Sequence, residues 1–108
     1  MKADDVIVVL VTVRDEQEGA ALATALVQEK LAACGNLVGP IRSIYRWQDA
    51  VQDEREHLLL LKARRADLDG LERRVRELHS YDVPEVVALS VAGGSAAYLA
   101  WVGEATSR

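Results

Sequence analysis

The segment Val6-Ile-Val-Val-Leu-Val-Thr-Val13 decides the fold of this 108-residue chain. It is rich in β-branched residues and apolar at odd and even positions alike. Such a run is typical of a strand in the middle of a sheet, because both faces of that strand are buried. The segment therefore predicts a central, fully buried strand, around which the remaining elements are arranged.

The next elements follow from local signals. Asp15, with Glu18 three residues on, resembles a capping box and predicts the start of a helix. Gly35 lies where a left-handed stop would suit the end of that helix. Residues 40–47 alternate and predict a strand, and residues 48–53 form a polar connection suited to a hairpin loop.

The second half of the chain repeats this pattern. Residues 54–62 predict the return strand of the hairpin, and Asp67 is a candidate N-cap for a second helix with apolar residues at helical spacing. Residues 85–91, after Pro84, predict another strand. Ser95 is a candidate cap for a terminal helix over 96–105.

The predicted order is strand, helix, strand, strand, helix, strand, helix. This order predicts an α+β protein: a ferredoxin-like βαββαβ sandwich with an extra C-terminal helix, forming a single domain over residues 1–108. Two helices cover one face of such a sheet. The other face needs a cover, for which the third helix and another subunit are the two candidates.

The composition excludes several classes of protein. The chain has 13 basic and 17 acidic residues, a net charge of −4, which argues against nucleic-acid or anionic membrane partners. The single cysteine, Cys34, excludes an intrachain disulfide framework. Neither a signal peptide nor an apolar run of about 20 residues is present, so we expect a cytoplasmic protein.

Several motifs stand in a fixed order between Val8 and Val102. They are Val11-Thr12, Leu31-Ala-Ala-Cys-Gly-Asn36, Pro40-Ile-Arg-Ser-Ile-Tyr-Arg-Trp47, Glu56 to Lys62, His79-Ser-Tyr-Asp-Val-Pro-Glu85 and Tyr98-Leu-Ala-Trp-Val102. In this combination the sequence resembles the CutA divalent-cation tolerance proteins. The resemblance departs from the family pattern at Arg14-Asp15, Gln48-Asp49 and Ala63, which we interpret as turn or surface changes.

The resemblance implies a homotrimer whose long middle β-hairpins reach across subunit boundaries. It also implies tolerance to divalent metal ions, chiefly copper, and a non-enzymatic role. As an alternative, the protein would be a PII-like trimeric signalling protein that binds a small anionic ligand in clefts between subunits. An enzyme using His79, Tyr81 or Glu85 for acid–base chemistry is a third possibility, for which the sequence names no substrate.

The candidate metal ligands are His79, Glu85 and Cys34. An imidazole and a carboxylate bind divalent cations, and the thiolate of Cys34 would suit Cu(I). Each also has a structural interpretation. His79 is favoured at the C-terminal end of a helix by the helix dipole, and Cys34 is a small apolar residue near the core.

A second set of residues is expected to line a cleft or an interface. Its aromatic members combine an apolar body with a polar tip, which favours partly buried interfaces. Glu56 and Lys62 are interpreted either as an ion pair lining an intersubunit pocket or as a solvated pair at a sheet edge. The full set is Tyr45, Trp47, Glu56, Lys62, Tyr81, Tyr98 and Trp101.

Overall fold

The computed structural model describes residues 1–108 and confirms the predicted α+β architecture. Its four strands form one antiparallel sheet in the order β2-β3-β1-β4. None of the helices is long and apolar enough to cross a membrane. The elements are β1 (Val6–Val13), α1 (Glu16–Gln28), β2 (Cys34–Trp47), β3 (Ala50–Arg64), α2 (Leu68–Leu78), β4 (Val87–Ser90) and α3 (Ala96–Ala105).

Strand β1 lies inside the sheet, as predicted. It pairs with β3 over its whole length, from Val6 opposite Arg64 to Val13 opposite His57, and with the short edge strand β4 on its other side. Its odd-numbered side chains are fully buried in a core that α1 and α2 close from one side. This double pairing is what a β-branched, apolar run favours.

The second face of β1 differs from the prediction. Val8, Leu10 and Thr12 are only half-buried, because α1 and α2 cover the opposite face. Helix α3 packs Leu99 and Val102 onto Val6 and so covers only the start of this strand. A fully buried β1 is therefore wrong for the single chain, which leaves much of one sheet face without a helical cover.

The predicted helix caps are confirmed at α1 and α3. Asp15 Oδ1 accepts the backbone N–H of Glu18 at 2.8 Å, and Ser95 Oγ accepts that of Tyr98 at 3.2 Å. The end of α1 differs, because Lys30, with φ of 60°, takes the left-handed position that we expected at Gly35. Gly35 lies instead within β2, against the side chains that β3 contributes to the core.

The β2–β3 hairpin is longer than predicted. Only Gln48 and Asp49 form its turn, both with positive φ, so most of the expected polar loop is strand. Two left-handed residues twist a tight hairpin turn in the sense that its strands require. Because β1 ends opposite His57, residues 50–56 and their β2 partners project beyond the sheet as a two-stranded ribbon.

Asp67 does not cap α2, contrary to the prediction. Its buried carboxylate instead accepts hydrogen bonds from Arg64 Nε at 3.2 Å and from the guanidinium of Arg108 at 2.5 Å. Burial by itself would raise the pKa of Asp67, but the bonds from Arg108 and Arg64 outweigh burial and lower this pKa. Asp67 thus ties the last residue of the chain to the start of α2.

We predict that Asp67→Asn lowers the free energy of unfolding by about 1–3 kcal/mol at neutral pH, because two charge-assisted hydrogen bonds are weakened. The folded-state pKa of Asp67 lies below its unfolded value of about 3.9, so its stabilising effect is present above that value. The effect disappears as the pH falls through the folded-state pKa. Urea unfolding at several pH values should therefore show the two proteins converging in acid, and a constant difference would contradict this role.

Candidate functional site

A cleft of about 780 Å³ opens where the hairpin ribbon leaves the sheet. One wall consists of the ribbon, whose alternating side chains point to the same side on each strand. The other wall is the loop between α2 and β4. The lining residues are Thr12, Ser43, Ile44, Tyr45, Trp47, Gln52, Glu54, Glu56, Ser80, Tyr81, Asp82, Val83 and Glu85.

The cleft is acidic. Four carboxylates line it, from Glu54, Glu56, Asp82 and Glu85, and no lysine, arginine or histidine does. Charges of one sign in a partly enclosed space concentrate the field and attract counter-ions of the opposite sign. The cleft therefore suits a positively charged ligand.

Two tyrosines hold two of these carboxylates. Tyr81 Oη donates to Glu56 Oε2 at 2.7 Å, and Tyr45 Oη donates to Glu54 Oε2 at 3.0 Å. Burial and the bond to Glu56 raise the pKa of Tyr81, and the bond to Glu54 raises the pKa of Tyr45. Both phenols therefore stay protonated and act as hydrogen-bond donors.

Glu56 is the most buried of the carboxylates, with 5% of its surface exposed. Only its Oε2 takes part in a hydrogen bond, which leaves Oε1 available to a ligand. Glu85 has no hydrogen-bond donor, and burial followed by repulsion from Glu56 raises its pKa. A bound cation would relieve that repulsion.

His79 lies behind the cleft, with its side chain fully buried. Its Nε2 donates to the carbonyl of Thr12 at 2.7 Å, and its Nδ1 accepts the backbone N–H of Tyr81 at 3.1 Å. A carbonyl only accepts and an N–H only donates, so this geometry fixes the neutral Nε2–H tautomer. Both ring nitrogens are thus occupied, and His79 positions Tyr81, whose ring centroid is 4.6 Å away.

The remaining predicted residues form a second group, elsewhere on the sheet. Cys34 pairs with Lys62 across β2 and β3, and its Sγ lies 3.6 Å from Tyr98 Oη. Tyr98 packs against Trp101 with ring centroids 5.5 Å apart. Lys62 donates to the side chain of Asn36, so it forms no ion pair with Glu56, whose partner is Tyr81.

The structure therefore separates Cys34 from His79 within one chain. His79 bonds to Thr12, which faces Leu58 on β3, whereas Cys34 faces Lys62, four residues or roughly 13 Å further along that strand. No three His, Cys, Asp or Glu side chains of the chain are grouped so that they would hold a metal ion. A cation in the cleft would have to share its coordination with water or with a second subunit.

Sequence reasoning missed some cleft residues. Asp82 lies inside the 79–85 motif but was not singled out, and Thr12 contributes through a backbone carbonyl that no sequence pattern marks. Glu54 alternates with Glu56 on one side of β3, so strand periodicity was the signal for its place beside Tyr45.

The fold and the cleft define a class of protein: a small ferredoxin-like domain with a projecting hairpin and an acidic cleft at its base. Comparison with known proteins makes this specific. The family model described as CutA1 divalent ion tolerance protein matches residues 7–105. The chain belongs to this family.

Relatives and solved structures agree with this assignment. The divalent-cation tolerance protein CutA of Thermus thermophilus is 48% identical over 92% of this chain and 96% of its own length. Its crystallised counterpart superimposes with a TM-score of 0.91 over 94% of this chain and 99% of that one, at 47% identity. CutA1 from Oryza sativa gives 0.93 at 45% identity, covering 96% and 95%.

The plant relatives are longer proteins. Protein CutA, chloroplastic, from Arabidopsis thaliana is 49% identical over 93% of this chain, which covers 55% of that protein. The chain thus spans about half the length of the plant relatives it matches.

We predict that His79→Ala lowers the free energy of unfolding by about 2–4 kcal/mol, because it opens a cavity and leaves the Thr12 carbonyl without its donor. Urea denaturation of the wild type and the variant measures this loss. The half-buried His57, which makes no side-chain hydrogen bond, provides a matched control, and His57→Ala should cost clearly less. Equal losses would show that the two bonds of His79 contribute little.

Proposed function

We propose that the protein is a non-enzymatic cation-handling protein that binds divalent metal ions, copper among them, in the acidic cleft. The observation that carries the proposal is the set of four carboxylates in a cleft without a basic side chain. Membership in a family named for divalent ion tolerance supports it. The Thermus relative carries the same term in its name.

We assign the metal to Glu56 Oε1 and the carboxylate of Glu85. Glu56 is held in place by Tyr81, and Glu85 is the carboxylate whose pKa burial and then Glu56 raise. Two carboxylates with water in the remaining positions fit the absence of any three-residue ligand group in the chain. Among first-row divalent ions at such a site, Cu²⁺ binds most tightly.

An anionic ligand of the PII type is disfavoured by the same charges. Bringing a negative group among four carboxylates would add repulsion that no lysine or arginine of the cleft offsets. The family membership points the same way.

We also propose that the protein is a homotrimer, in which other copies cover the bare face of the sheet. Leu10 faces Leu60 on one neighbouring strand and Val87 on the other, so apolar side chains run across three strands of that face. Val87 and Leu89 on β4 are 46% and 48% exposed. An apolar surface of this kind is typical of protein–protein interfaces, and the projecting hairpin is long enough to reach a neighbour.

We predict that titration calorimetry detects Cu(II) binding that is tighter than Zn(II) or Ni(II) binding, and that Glu85→Gln weakens it roughly tenfold or more. Glu104→Gln, which removes an exposed carboxylate from α3, is the matched control and should change nothing. Because protons compete for the carboxylate and the pKa of Glu85 is raised, affinity should fall as the pH is lowered through that raised value. Unchanged affinity in Glu85→Gln would contradict the ligand assignment, and no binding by the wild type would contradict the function.

We predict that light scattering gives about three times the chain mass of 11.8 kDa. Val87→Lys, which places a charge on the bare sheet face, should shift the mass toward a single chain. Val27→Lys on α1, at the opposite side of the sheet, is the control and should leave the mass unchanged. A wild-type mass near 12 kDa would exclude the trimer, and an unchanged mass for Val87→Lys would place the interface elsewhere.

A further inference from the structure

The walls of the cleft carry a second kind of chemistry besides charge. Three aromatic side chains line it, from Tyr45, Trp47 and Tyr81, together with the apolar side chains of Ile44 and Val83. Trp47 is 44% exposed, so its ring is accessible. A space of about 780 Å³ lies within the range of small-molecule pockets, roughly 300–1,000 Å³. It is far larger than a metal ion needs.

The polar groups of the cleft are mainly acceptors. The hydroxyl hydrogens of Tyr45 and Tyr81 are committed to Glu54 and Glu56. Glu56 is more than nine-tenths buried and still has Oε1 free of hydrogen bonds. A buried carboxylate of this kind requires a partner that brings positive charge. The aromatic faces beside it attract cations as well, through the negative potential above each ring.

We propose that the cleft binds a small methylated organic ammonium ion, with its positive charge at Glu56 and Glu85 and its methyl groups against Trp47. Methyl groups on the nitrogen suit this surface because they pack on aromatic and aliphatic side chains and lose little hydration on entry. The site would share its carboxylates with the metal site proposed above. The aromatic wall would contribute only to the organic ligand.

The test compares choline with 3,3-dimethyl-1-butanol, which has the same shape but a carbon in place of the charged nitrogen. Binding is followed by NMR titration of the intact protein. We expect choline to shift resonances of the cleft and the neutral alcohol to leave them unchanged. Trp47→Leu should weaken choline binding roughly two- to thirtyfold, the range of a cation–π contact, and leave Cu(II) affinity unaltered. Glu85→Gln should weaken both ligands.

Two results would overturn the proposal: choline and the alcohol binding equally or not at all, or Trp47→Leu leaving choline affinity unchanged. Trp47 is exposed near the turn of the hairpin, so this variant should fold, and its thermal unfolding provides the check. The metal proposal fails independently of this one. Choline binding without Cu(II) binding would contradict the metal site alone, and the reverse result would contradict the ammonium site alone.

Discussion

The antiparallel pairing of β1 with β3 is the constraint on which the rest of the structure depends. A strand register admits no small errors, since a slip by one residue would turn every side chain to the opposite face. Here the register places Val9, Val11 and Val13 in the core beneath the two helices. It also sets the point where the sheet ends, opposite His57. Beyond that point β2 and β3 have only each other as partners, and the hairpin becomes a free-standing ribbon.

The cleft is a consequence of that end point. Thr12 lies in the last turn of the β1 register, and its carbonyl holds the imidazole of His79. His79 in turn holds the backbone of Tyr81, whose hydroxyl reaches the ribbon at Glu56. One chain of hydrogen bonds therefore connects the sheet, the loop after α2 and the hairpin. Because each link is buried or partly buried, the carboxylate of Glu56 has a fixed position before any ligand arrives.

The sequence was sufficient for the element order and for the caps at Asp15 and Ser95, because these signals are local. It was insufficient where distant residues decide the outcome. Asp67 had the spacing of a cap, but Arg108, 41 residues away, competes for its carboxylate. Residues 50–53 looked like a polar loop, but pairing with β2 makes them strand. Cys34 and His79 belong to the same set of motifs, but only the register shows that they face different parts of β3.

The four carboxylates of the cleft add a cost to the folded state that the hydrogen bonds only partly offset. Tyr81 and Tyr45 each compensate one carboxylate, whereas Glu85 carries the raised pKa that follows from burial beside Glu56. Any cation that binds the folded chain and not the unfolded one stabilises it by mass action. Such a cation acts most strongly where repulsion has not been relieved. The uncompensated carboxylate of Glu85 is therefore the physical reason to expect that ligand binding and stability are coupled in this protein, whether the cation is a metal ion or an organic one.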